Sequence, residues 1–221
     1  TIPLALTEDV APDYEQARRT LGWEPDQTIL LYLSRIHPKK GLHLLLEALA
    51  TESLNYEDVR MVIVGGGPDS YVNRLHRFAD DNQRRLPMIE WEGSVWGDRK
   101  WRYMQGADLF CLPTRSENFG LVVLEACQVG TPVLTTTGTP WSILEDWNSG
   151  FAVTPDVASL QSAVREYLDH WSWMDGDRNA LAEKTRKRFD INVVGAQYLT
   201  LYQTILNGGG TLRCDSEGTG C

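Results

Sequence analysis

The chain has 221 residues, 42% of them hydrophobic and eight of them tryptophan, enough to bury a full core as one ordered domain rather than to remain disordered. With 30 acidic against 21 basic residues the formal charge is −9, so the average surface repels a phosphate polymer, which disfavours non-specific nucleic-acid binding. No run approaches the roughly 20 apolar residues of a membrane helix, the start lacks the layout of a secretory signal, and a soluble, cytoplasmic protein is expected.

Thr1 to Pro12 is proline-punctuated and without period, which reads as extended chain. Tyr14 to Leu21 reads as a helix stopped by Gly22. Thr28 to Leu33 is a continuous apolar run, as expected of a strand buried on both faces of a parallel sheet. The pattern then alternates: helix from Leu42 to Ala50, strand from Val59 to Val64, helix from Tyr71 to Gln83, short strand from Met88 to Trp91, helix from Asp98 to Gln105, strand from Ala107 to Leu112. Leu121 to Val129 is an amphipathic helix ended by Gly130 and Pro132, Val133 to Thr136 a strand, and Phe151 to Val153 a candidate sixth. From Val157 to Leu206 the pattern is helical, broken near Asp175 to Asp177 and around Asp190; residues 207–221 read as a disordered glycine-rich tail. Repeated strand and helix units predict a three-layer, doubly wound parallel sheet of Rossmann-like type, with ligands beyond the carboxyl ends of the strands.

Of the four cysteines, Cys111 and Cys127 fall in a predicted strand and helix, where a free thiol packs as a small apolar group, while Cys214 and Cys221 are in the tail and could pair. A reducing compartment fits this usage. His43, His76 and His170 lie in helical patterns with no second ligand at metal spacing, so no metal site is expected.

The stretch from Leu109 to Pro132 organises the rest: strand, polar loop, helix. Glu117 sits before the helix and Glu125 in its second turn. The backbone N–H groups from Asn118 to Val122 have no intrahelical partners and the helix dipole favours an anion there, with Gly120 leaving room for close approach. An acid before a helix is commonly a cap and one within it commonly solvated; two of them framing a glycine-containing helix start point to a sugar or phosphate site. Arg35 and Lys40, in the loop after the first strand, supply the positive charge that the acidic average cannot. Gly65-Gly66-Gly67-Pro68 allows a tight turn after the second strand, without the spacing of a dinucleotide fingerprint. Val95 and Trp96 follow the third strand, where the indole suits either a base or the core. Gly138-Thr139-Pro140-Trp141, after the fifth, is a candidate border for a sugar.

At these residues the chain resembles the family-4 retaining glycosyltransferases, which have the GT-B fold of two Rossmann-like domains. Glu117 and Glu125 enclose seven residues, similar to the family's E-x7-E arrangement, and Pro113, Phe119-Gly120-Leu121, Glu125-Ala126 and Gly130-Thr131-Pro132-Val133 stand where the family has its P-S-x-x-E-G-F-G-L, E-A and G-x-P-V elements. Ser34 to Gly41 is similar to its G-R-x-x-x-x-K-G segment, with Ser34 for the usual glycine, and Asn118 likewise replaces a glycine. The resemblance implies the donor-binding half of a hexosyltransferase: Arg35 and Lys40 on the leaving diphosphate, Glu117 on donor-sugar hydroxyls, and Glu125 on ribose. It assigns the Asn118, Phe119, Gly120 and Leu121 amides to sugar or phosphate, and Gly65, Gly67, Val95 and Trp96 to the walls of the nucleotide pocket. It implies a UDP-, GDP- or ADP-sugar donor, no cofactor and no metal. It makes residues 1–12 an interdomain linker and 13–206 the donor-binding domain, inactive without an acceptor domain expected before Thr1; that domain leaves room for peripheral membrane association. The alternatives are a non-catalytic nucleotide-binding module, a sugar-nucleotide epimerase of related fold, and a Rossmann oxidoreductase, the last disfavoured by the absent dinucleotide fingerprint.

Overall fold

A computed structural model describes residues 2–6, 10–51, 56–170 and 175–208. Six strands, β1 (Thr28–Leu33), β2 (Val59–Val64), β3 (Met88–Trp91), β4 (Leu109–Cys111), β5 (Val133–Thr136) and β6 (Gly150–Val153), form one sheet in the order β3-β2-β1-β4-β5-β6. Every pairing is parallel, with Thr28 opposite Val59 and Leu30 opposite Leu109. The helices are α1 (Tyr14–Leu21), α2 (Leu42–Leu49), α3 (Asp69–Asp81), α4 (Asp98–Gly106), α5 (Leu121–Gln128), α6 (Ile143–Asp146), α7 (Val157–His170), α8 (Asp175–Phe189) and α9 (Ile191–Gly208).

Alternation along the strands divides the core in two. Ile29, Leu31, Val62, Val64, Phe110 and Val133 pack on one face with residues of α4, α5 and α8. Leu30, Tyr32, Met61, Ile63, Leu109 and Leu134 pack on the other with α2, α3 and α7. Leu30 and Leu31 are both fully buried, so both faces contribute, at about 1.5–3 kcal/mol for each large side chain taken from water. Cys111 and Cys127 are buried and free, and burial pushes both thiols well above the usual range, as expected of packing groups rather than nucleophiles.

Three details depart from the sequence reading. α6 was not anticipated; at four residues it is too short to establish a period. The break expected at Asp175 to Asp177 is not seen there, since α8 starts at Asp175 and runs through these residues; residues 171–174 lie outside the described residues. α9 continues through Gly208, and the rest of the anticipated tail, with Cys214 and Cys221, also lies outside the described residues.

At the amino edge of the sheet a polar network ties distant segments together. The Asp108 carboxylate accepts from Arg18 at 2.8 Å, Tyr14 at 2.7 Å, Arg178 at 3.4 Å and the Ile29 amide at 2.7 Å. Arg18 and Arg178 are both buried; Arg18 Nη2 donates to Gln27 O and Arg178 Nη2 to Ala107 O, while Arg18 Nε is left without a partner. Such a group is tolerable inside a protein because nearly all its lone pairs and protons are matched.

Candidate functional site

Strand order reverses between β1 and β4: the chain leaves β1 to build one wing of the sheet and β4 to build the other. In doubly wound sheets such a switch point, outside the carboxyl ends of the strands, is where ligands bind. Arg35, Lys40 and Glu117 all lie on these loops, and Gly65 and Gly93 follow β2 and β3 on the same edge.

Backbone packing fixes the loops. Ser34 N–H donates to Val64 O at 3.1 Å and Ile36 N–H to Gly66 O at 2.8 Å, so the loops after β1 and β2 lie against one another. A Cβ at Gly65 would stand 1.9 Å from Ser34 O and one at Gly67 2.0 Å from Ile36 O. That contact accounts for both glycines by packing between loops, whatever ligand they border. Gly41, at φ 74°, closes the single 3-10 turn Pro38–Lys40, and its Cβ would lie 1.9 Å from Pro113 O. The first loop is thus pressed onto the strand end that leads to Glu117.

Lys40 Nζ is ion-paired with Glu117 Oε1 across the switch point, the two side chains being only 16% and 14% exposed. The Glu117 amide donates to Gly138 O at 3.0 Å, so the turn after β5 positions this loop. Glu117 then passes over Gly120, whose Cβ would be 3.7 Å from Glu117 Cγ. Among the described residues the amides of Asn118, Phe119, Gly120, Leu121 and Val122 have no protein acceptor, leaving the start of α5 free to meet an anion. Arg35 is exposed, and its guanidinium has no partner among the described residues; its carbonyl is held by Tyr32 Oη at 3.1 Å. Burial raises the Tyr32 hydroxyl far above the usual range, so it stays a neutral donor to that carbonyl.

The remaining candidates divide. Glu125 is paired with Lys100 of α4 at 2.8 Å, a partner the sequence gave no sign of because it comes from a different helix. Phe119 turns its ring inward, 5.3 Å from Trp141 and 5.9 Å from Phe189, and only its backbone stays at the edge. Trp141, read as a candidate sugar border, is wholly buried: it is a core residue whose indole N–H donates to Phe119 O beneath the start of α5. Val95 packs against the core, whereas Trp96 is 78% exposed in the loop after β3. No described group of three or more His, Cys, Asp or Glu side chains is arranged to hold a metal ion, and no described helix is long and apolar enough to cross a membrane.

A doubly wound parallel sheet with cationic and carboxylate side chains gathered at its switch point defines a Rossmann-like α/β protein. Residues 13–188 match the family described as glycosyl transferases group 1, and the chain belongs to that family. Its fold is that of one Rossmann-like half of a GT-B glycosyltransferase. It is 30% identical over 191 residues to the phosphatidyl-myo-inositol mannosyltransferase of Mycobacterium leprae, an alignment covering 85% of this chain and 49% of the relative. The chain therefore spans about half the length of that relative. Two solved structures share the fold: sucrose-phosphate synthase from Thermosynechococcus elongatus (TM-score 0.76, 22% identity, 93% of this chain and 52% of the other) and an Anabaena protein crystallised in complex with UDP (TM-score 0.71, 22% identity, 86% and 52%).

Proposed function

We propose that this chain is the donor-binding domain of a retaining glycosyltransferase, holding a nucleoside-diphosphate hexose for transfer to an acceptor held by a second domain. The observation that carries the reading is the Lys40 and Glu117 pair spanning the switch point beside the unpartnered amides of α5. Arg35, Lys40 and the helix start would take the diphosphate, supplying charge-assisted contacts as the leaving group gains charge. Glu117 serves to position donor hydroxyls and balance charge, Glu125 faces the ribose, and Trp96 and Val95 border the base. Transfer requires both substrates in attack geometry in a dry cleft, which one wall of that cleft does not provide. The chain alone therefore binds donor without transferring sugar. Because the relative from Mycobacterium leprae is a mannosyltransferase and the Anabaena neighbour was crystallised with UDP, nucleoside diphosphates are the probes of choice.

Calorimetry with UDP, GDP and ADP tests this. One of the three binds the isolated chain, unaffected by EDTA, because side-chain cations and a helix start do the work a metal would otherwise do. Joined to an acceptor domain, Glu117→Gln lowers the transfer rate while leaving diphosphate binding nearly intact. An affinity abolished by EDTA, or robust transfer by the 221-residue chain alone, would refute the reading.

A further inference from the structure

Acids outnumber bases 30 to 21 in this chain, so most cations find a partner. Arg18, Lys40, Arg60, Arg99, Lys100 and Arg102 are all in ion pairs. Against that background, the side chains of Lys39 and Arg115 are exposed and have no ion pair or hydrogen bond among the described residues, although they are neighbours at the ligand edge. Their backbones are joined: Arg115 N–H donates to Lys39 O at 2.9 Å, and Thr114 Oγ1 to the same carbonyl at 3.2 Å. The turn after β5 presses on Arg115, since a Cβ at Gly138 would stand 2.2 Å from its carbonyl oxygen. Two cations with rigid footings and free heads are what an anion subsite requires.

The subsite is separate from the one the donor uses. Lys39 and Lys40 are consecutive in a 3-10 turn, where successive side chains point about 120° apart. With Lys40 turned to Glu117, Lys39 points away from that pair, and its backbone carbonyl is held by Arg115. At the junction of α2 and α3, His43 Nδ1 is 2.9 Å from Tyr71 Oη, and the Arg74 guanidinium lies 4.9 Å from the Tyr71 ring centroid. Burial holds the His43 imidazole below its usual range; Glu47 opposes this, while Arg115 and Arg74 reinforce it, so the positive field of Arg115 extends over that junction.

We propose that Lys39 and Arg115 form a second anion subsite, beside the donor site, that takes a phosphate group carried by the acceptor. The proposal rests on the donor-binding reading. A phosphomonoester carries about −1.5 to −2 charges near neutral pH, which one guanidinium fork and one ammonium match. That chemistry is common to a soluble polyol phosphate and to a lipid headgroup phosphate.

The test saturates the chain with UDP and titrates glycerol 1-phosphate by calorimetry, with co-sedimentation on phosphatidylcholine vesicles containing or lacking phosphatidic acid. The phosphate binds the UDP-loaded chain, and Lys39→Ala/Arg115→Ala weakens it about tenfold or more while UDP affinity changes less than about twofold. The charge-keeping pair Lys39→Arg/Arg115→Lys retains it, separating loss of charge from loss of fold. Binding of the soluble phosphate points to a soluble acceptor; binding only to phosphatidic acid vesicles points to a lipid headgroup. Competition between UDP and the phosphate, or unchanged binding in the alanine pair, overturns the subsite. If UDP binds but neither phosphate probe does, the subsite fails and the donor reading stands. If phosphate binds through Lys39 and Arg115 but no nucleoside diphosphate does, the donor reading fails and the anion site stands.

Discussion

Replacing Lys40 by methionine keeps most of the side-chain volume and deletes the charge that faces Glu117. Because the two side chains are only 16% and 14% exposed, the pair lies between the surface case, worth about 0–1 kcal/mol, and the deeply buried case, where losing one partner costs about 3–5 kcal/mol. We expect about 2 kcal/mol for Lys40→Met, most of it from stranding the Glu117 carboxylate in a poorly hydrated site. Glu117→Gln preserves shape and an acceptor oxygen, and should cost about 1 kcal/mol. The double variant should then lose about 1.5 kcal/mol, well short of the 3 or so kcal/mol that independent sites would give. Urea unfolding measures all three, with midpoints compared at constant m, and thermal scans should place Lys40→Met about 4–8 °C below the parent. Additive losses, agreeing with the sum to within roughly 0.5 kcal/mol, would mean that the two charges do not sense each other and that the switch point is not bridged as described.

Gly41→Ala should be among the most damaging single-methyl changes, because the new Cβ meets the Pro113 carbonyl at 1.9 Å and the backbone sits at φ 74°; a loss of about 2 kcal/mol or more in urea unfolding, with weakened UDP binding, is the expected result. His43 gives a pH dependence with a definite sign. Its folded-state value is lowered, chiefly by burial, so the unfolded chain takes up the proton first. This group's contribution is present above about pH 6.5 and is lost as pH falls through the lowered folded value, and a His43→Asn chain should lose that part of the slope of unfolding free energy against pH.

Much of the sheet was legible in the sequence because strands buried on both faces must be continuously apolar: Thr28–Leu33 and Val59–Val64 have the bounds that their apolar runs suggest. Helix stops at Gly22 and Gly130 were equally plain, since both glycines take positive φ where other residues are strained. What stayed hidden depends on who meets whom. Lys40 and Glu117 are 77 positions apart and Lys100 and Glu125 are 25, and no local pattern announces either pair. The Gly-Thr-Pro-Trp turn has the composition of a ligand loop, and only packing against Phe119 and Phe189 makes Trp141 a core residue. Gly65 and Gly67 were recognisable as glycine-requiring positions, but the atoms that require it, Ser34 O and Ile36 O, belong to the preceding loop.

The network around Asp108 bears on the order in which the chain acquires its structure. Arg18 lies 90 positions before Asp108 and Arg178 lies 70 after it, so the carboxylate cannot be fully matched until α8 has been synthesised. A nascent chain ending after β6 would hold all six strands yet bury Asp108 without one of its two guanidinium partners, a half-matched charge that favours opening. Full matching of Asp108 is therefore expected late in synthesis, at the loop-closure cost of other distant pairings. Emerging strands would remain open to chaperone binding until Arg178 docks, and a protein cut short before that residue should accumulate as an aggregation-prone intermediate rather than as a smaller stable domain.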